Sequence, residues 1–247
     1  MMIVAAGATG NSRGGLDGQN DRSVYAGPGT GKRQRMTPIS QGSANPGKRL
    51  RRSQAERRAE TRDRVIQAAI ASLFRNGYSA TSISVVAADA GVSRGAMTHQ
   101  FPAKTDLMLA VVRAVFDDDG ALYNDSIATL SPYDWLLALP ETMWRVISRP
   151  SGIAVIEIML ASRSDPDLAE KLRALQAQID TQAHAWSAQR VRDAGFEPHP
   201  DAEAIHDLFV AAVRGMALNA VVMDNTQSVK RQLEILSGIM RSVYLVA

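Results

Sequence analysis

The chain has 247 residues, 45% of them hydrophobic, which is enough for at least one sizeable core in one or two domains. It holds no cysteine, which excludes disulfides and thiolate metal sites and suits a reducing, cytoplasmic location. A net charge of +3 hides an asymmetry: residues 1–104 carry 16 Lys/Arg against 6 Asp/Glu, and residues 105–247 carry 12 against 19. A basic front ahead of an acidic body points to a polyanionic partner for the front.

Residues 1–47 are rich in Gly, Ser, Asn, Gln and Pro and show no apolar period, so they read as a disordered basic tail that can precede a natural start at Met36. The GPGTGK run at 27–32 imitates a phosphate-binding loop. It lacks the preceding strand and the Ser/Thr after lysine, so a nucleotide-binding enzyme is the weakest reading. From Lys48 the run KRLRRSQAERRAETRDR holds eight cations and three acids. It leads into an amphipathic helix with Val65, Ala69 and Leu73 at four-residue spacing. Gly77 stands where a left-handed helix end belongs. Thr81 or Ser82 caps a second helix near 82–90, Gly91 makes a turn, and Ser93 caps a third helix near 94–100 that Pro102 ends.

Two short helices joined by such a turn meet the demands of a helix-turn-helix. Ala87 leaves room for the crossing, and Val86, Ala90, Val92, Met97 and Phe101 supply the inner face. Arg94, Gly95, Thr98 and His99 are left to face a major groove. The segment from Val65 to Val112 resembles the DNA-binding domain of TetR/AcrR-type transcriptional regulators. The residues that carry this are the AA-x3-LF-x2-GY run, Thr81-Ser82-Ile83, Ala90-Gly91-Val92-Ser93, Gly95, His99 and Phe101-Pro102-x-Lys104.

The resemblance implies an all-α protein of about nine helices. A helix-turn-helix domain at 48–104 would be followed by an effector-binding and dimerisation domain at 105–247, with a homodimer formed through the last two helices. It implies a ligand-responsive repressor released from a double-stranded DNA operator by an unknown small molecule, with no catalytic residues and no cofactor. An architectural DNA-binding protein without an effector is the alternative. By position, Arg94 would read a guanine edge and Ala96 a thymine methyl, while Gly95 admits close backbone approach. Ser84 would reach a base or phosphate. Thr81, Ser82, His99 and Lys104 would stand at phosphates, Ser93 and Thr98 would lie at the DNA face, and Arg57, Arg58, Arg62 and Arg64, with the arm at 48–52, would add sequence-independent attraction or enter the minor groove. The family's usual tyrosine is replaced by Thr98 and its frequent second aromatic by Gln100. The arginine-rich segment is expected to compensate.

Beyond Lys104 every segment reads as helix. One runs from Lys104 to about 128, and Leu107, Ala110, Val111, Ala114 and Val115 form its stripe. GIAVIEIMLASRS is nearly all apolar and reads as a central helix broken only by Glu157. Asp165-Pro166 reads as a cap with proline at the first helical position. Val229, Leu233, Leu236, Met240 and Val243 make a 4-3-4-3 seam like that of a coiled coil. No uncharged apolar run approaches the roughly 20 residues of a membrane span, so no membrane partner is expected. A ligand pocket is expected among Trp135, Met143, Trp144, Glu157, Met159 and Trp186. His184, His199 and His206 lack the spacing of a metal motif, so no metal is expected.

Overall fold

The computed structural model describes residues 54–223 and 226–245. These form nine helices and no strand: α1 (Gln54–Ala80), α2 (Ile83–Asp89), α3 (Arg94–Gln100), α4 (Lys104–Ile127), α5 (Pro132–Ile147), α6 (Pro150–Ala161), α7 (Pro166–Asp193), α8 (Ala202–Val222) and α9 (Thr226–Leu245). The tail at 1–47, the GPGTGK run and the arm at 48–52 lie outside the described residues.

Local chemistry sets most of the helix ends. The Ser82 hydroxyl accepts from Val85 N–H and the Ser93 hydroxyl from Ala96 N–H, each satisfying a donor in a first helical turn. The Asp165 carboxylate accepts from Leu168 N–H ahead of Pro166. Gly91, at φ 62°, takes the left-handed turn between α2 and α3 that a side chain would strain. Gly77, at φ 74°, breaks α1 one turn before its end.

Two apolar clusters organise the chain. One joins α1–α3 to α4, α6 and α7 through Val65, Leu73, Val86, Met97, Phe101, Leu107, Met108, Ala154, Ile158 and Leu168. Apolar packing is therefore continuous across Lys104. The other joins α5, α7, α8 and α9 through Trp135, Leu136, Met143, Val191, Phe209, Val213 and Met240. α6 is the central helix expected, in contact with α1, α4, α5 and α8. The start of α6 crosses the end of α5 so closely that a Cβ on Gly152 would sit 2.0 Å from the Ile147 carbonyl oxygen.

One expectation about the last helices changes. The seam on α9 turns inward: Val229 and Met240 are buried and Leu236 packs against the second cluster. The reason is that α5 offers this stripe an apolar partner within the same chain. α8 is long and apolar enough to cross a membrane by length and composition, which the sequence reading missed. It nonetheless carries Asp207 and Arg214 in its middle turns and buries Phe209, Val213, Met216 and Ala217 in the protein. Charges at membrane depth are costly, so this helix fits the protein interior better than lipid.

Candidate DNA interface and inner cavity

α3 is a small helix with one inward face. Met97 is buried, whereas Arg94, Gly95, Ala96, Thr98 and His99 are exposed along one continuous surface. Ser84 on α2, and Ser82 and Ser93 at the two caps, are exposed beside it. Arg62 of α1 stacks over the Phe101 ring at 5.0 Å, which brings its guanidinium to the end of α3. Arg58 is exposed one turn earlier. The Thr98 hydroxyl donates to the Arg94 carbonyl at 2.9 Å, so its single proton is already engaged within the helix.

Two of the expected phosphate contacts are corrected. Thr81 is fully buried, and its hydroxyl donates to the Gly77 carbonyl at 2.9 Å and pairs with the Ser72 hydroxyl at 2.9 Å. Of the adjacent hydroxyls, Ser82 caps α2 while Thr81 fastens the break in α1. Lys104 is folded inward: its ammonium donates to the Tyr78 carbonyl at 2.6 Å and lies 3.6 Å from the centre of the Tyr78 ring. The Tyr78 carbonyl, which also accepts from Thr81 N–H at 3.2 Å, attracts it, and burial holds its pKa below the ordinary lysine value.

Tyr78 is the joint between these helices. Its N–H donates to Glu157 of α6 at 3.3 Å, and its hydroxyl donates to Asp165 at the start of α7 at 3.1 Å. Burial, followed by the bond to Asp165, pushes the phenol up to about 12. Glu157, expected as a ligand contact, thus serves this joint and lies outside the cavity. Glu157→Ala would leave a half-buried N–H without its acceptor, at a cost of about 1–3 kcal/mol. The expected result in thermal denaturation is a lower melting temperature than the parent's.

The cavity itself, of about 690 Å³, lies among α4–α8. Met143, Met159 and Trp186 line it as expected. Trp135 stands behind Trp186 in an edge-on contact at 5.3 Å, 2% exposed, and does not reach it. Trp144 packs toward Ile153, Ile156 and Ala217 on the other side of α5. These two tryptophans follow helix faces that the sequence period could not assign to core or cavity.

A match to the family of bacterial regulatory proteins named tetR spans residues 65–111, from mid-α1 through the first turns of α4. Over a longer stretch the chain is similar to the HTH-type transcriptional regulator CymR of Pseudomonas putida. The two are 30% identical over 184 residues, covering 73% of this chain and 89% of that one. The chain belongs to the TetR family. Among solved structures, a transcriptional regulator of Rhodococcus sp. Rha1 is similar at TM-score 0.60 and 21% identity, covering 75% of this chain and 98% of that one. A regulator of Saccharomonospora viridis, solved in complex with choline, is similar at TM-score 0.59 and 18% identity, covering 75% and 98%. At these identities the two structures bear on the fold alone.

Membership makes this TetR-family protein a helix-turn-helix transcriptional regulator. Its cavity contains polar groups that the sequence reading did not select: Asp119 and Tyr123 of α4, Asp180 of α7, and His206, Asp207 and Arg214 of α8. Asp119 belongs to a run of three acids, Asp117 to Asp119, yet its side chain is only 20% exposed and pairs with Arg149. Burial raises the carboxyl to about 7, with Arg149 opposing. Burial likewise raises Tyr123 and lowers Arg214 and His206.

A carboxyl with its folded pKa raised binds more protons in the folded state than in the unfolded chain. Its stabilising contribution is complete below about pH 4 and is lost as pH rises through about 7. Melting curves of Asp119→Asn are therefore expected to fall less steeply than those of the parent between pH 4 and pH 7. Parallel slopes would count against the buried placement of this acid.

Proposed function

We propose that this protein is a dimeric, effector-released repressor whose α3 enters the major groove. The exposed row Arg94, Gly95, Ala96, Thr98 and His99, braced by buried Met97, carries the reading. It combines small residues that permit close approach with one arginine able to donate two bonds to a guanine edge. Ser84 and Ser82 would supply flanking contacts, and Arg58 and Arg62 phosphate attraction. Footprinting on the DNA flanking its own gene is the test. A discrete palindromic site with half-sites about one turn apart is expected, whereas diffuse coverage would favour the architectural alternative.

Dimerisation is supported by an exposed stripe on α8. Ala204, Leu208, Ala211, Gly215, Leu218 and Val222 follow 4-3-4-3-4 spacing and are all exposed, with Ala211 also at the edge of the inner cavity. On α9, Ile235, Gly238, Ile239 and Ser242 are likewise exposed. Cβ positions at Gly215 and Gly238 meet nothing within 4 Å. Small residues alternating with branched ones let helices approach closely, so a second copy fits this face.

The effector reading rests on the cavity, whose walls include α4. An effector that prefers one spacing of the two α3 helices over another lowers operator affinity by its differential affinity for the two states. Tyr78 ties the start of α4 to α1, α6 and α7, so it is the route by which cavity contents bear on the DNA-binding unit.

A further inference from the structure

We propose that His184, His206 and Asp207 form a binding site for a divalent first-row transition metal, bridging α7 and α8 at the cavity wall. One ligand atom from each of the three lies within 4.8 Å of the others. His184 Nε2 is 2.7 Å from Asp207 Oδ1, and the two imidazole rings stand edge to face with centroids 5.2 Å apart. An ion held at about 2.0–2.2 Å by imidazole nitrogens and a carboxylate oxygen needs only small side-chain rotations from this arrangement.

The surroundings support the assignment. His184 Nδ1 faces Glu203 Oε2 at 3.9 Å. With Nε2 on a metal, Nδ1–H would point at that carboxylate, the usual orienting arrangement for a metal-bound histidine. Among the described residues, the charged groups acting on the two histidines besides the ligands include Glu203, Asp180 and the cation Arg214. The local field therefore favours a dication. Two imidazoles with one carboxylate select zinc, cobalt, nickel, copper or ferrous iron over magnesium or calcium, which prefer all-oxygen sets.

Three protein ligands leave coordination positions open. His206 and Asp207 line both the inner cavity and a second cavity, formed by α7, the α7–α8 connection and the start of α8, that His184 also lines. An ion here would present its open position to these spaces, where water or a donor atom of a bound molecule can complete the shell. It would also pin α7 to α8, the helix whose outer stripe faces the second copy.

The experiment uses the full chain, stripped with a chelator and titrated with Co(II) alone and then Zn(II) alone, without DNA or effector. One equivalent per protomer is expected, with visible Co(II) bands of an imidazole-carboxylate site that Zn(II) quenches. Asp207→Asn, a substitution on a well-exposed side chain, is expected to weaken binding by at least the roughly 10- to 100-fold that loss of a supporting group costs. His206→Ala should abolish the bands, with helicity by circular dichroism confirming the fold, and His199→Ala should keep them. No bands in the parent protein, or bands that survive both Asp207→Asn and His206→Ala, would overturn the proposal. So would bands lost in His199→Ala but kept in His206→Ala. None of these readouts depends on the effector reading, so either can fail alone.

Discussion

Arg94→Ala is expected to lower operator affinity by about 1–3 kcal/mol, roughly 5- to 150-fold in Kd, and to relax base preference at one position of each half-site. Arg94 is the first residue of α3 and the sole long cationic side chain on that helix. Its place beside the Ser93 cap keeps the guanidinium at the N-terminal end of α3, the end that meets base edges when a recognition helix lies in the groove. His99→Ala is the companion experiment. A phosphate contact should weaken all sequences alike and reduce the salt slope, with no change in base preference. Gel-shift titrations against a panel of single-base operator variants separate the two. If Arg94→Ala weakens every variant by the same factor, Arg94 is a phosphate ligand and the base-reading role belongs elsewhere on α3.

Gly152→Ala is expected to destabilise the fold by about 3 kcal/mol, the upper end of the usual range for overpacking. That corresponds to roughly 6–12 °C in Tm for a chain of this size. The added methyl would lie 2.0 Å from a backbone carbonyl oxygen of Ile147, and backbone cannot rotate away as a side-chain tip would. Either α6 shifts along its axis or its first turn melts. Because α6 also carries Glu157, a shift would stretch the contact with Tyr78. Melting curves at fixed protein concentration test this, and an unchanged Tm would mean that the two helix ends are farther apart than 2.0 Å implies.

The parts legible in the sequence are those fixed by short-range chemistry. Ser82, Gly91, Ser93, Pro102 and the Asp165-Pro166 pair each act within a few residues, so the bounds of α2, α3 and the start of α7 follow from them. Amphipathic spacing likewise placed Val65, Ala69 and Leu73 in the core. What was not legible depends on which neighbour a helix meets. Thr81 and Ser82 have similar chemistry, and only the kink at Gly77 sends one inward. Lys104 has the position of a phosphate ligand, but the Tyr78 carbonyl of another helix engages its ammonium. His184 and His206 lie on separate helices, and no linear motif spans that gap. Asp119 sat within an acidic run whose other two members are indeed exposed.

The Tyr78 joint has a mechanical consequence. Asp119, on the cavity wall, and Lys104, at the joint, are 15 residues apart on one unbroken helix, about 22 Å at 1.5 Å per residue. A tilt of about 5° pivoting near Asp119 would then displace the Lys104 end by roughly 2 Å, given that span. The Lys104 ammonium is bound to the Tyr78 carbonyl at that end, so such a swing is taken up by the lysine side chain or by that bond. On the effector reading proposed above, a small angular change at the cavity end would reach the Tyr78 joint as a displacement of atomic size. The helix would then be a lever arm.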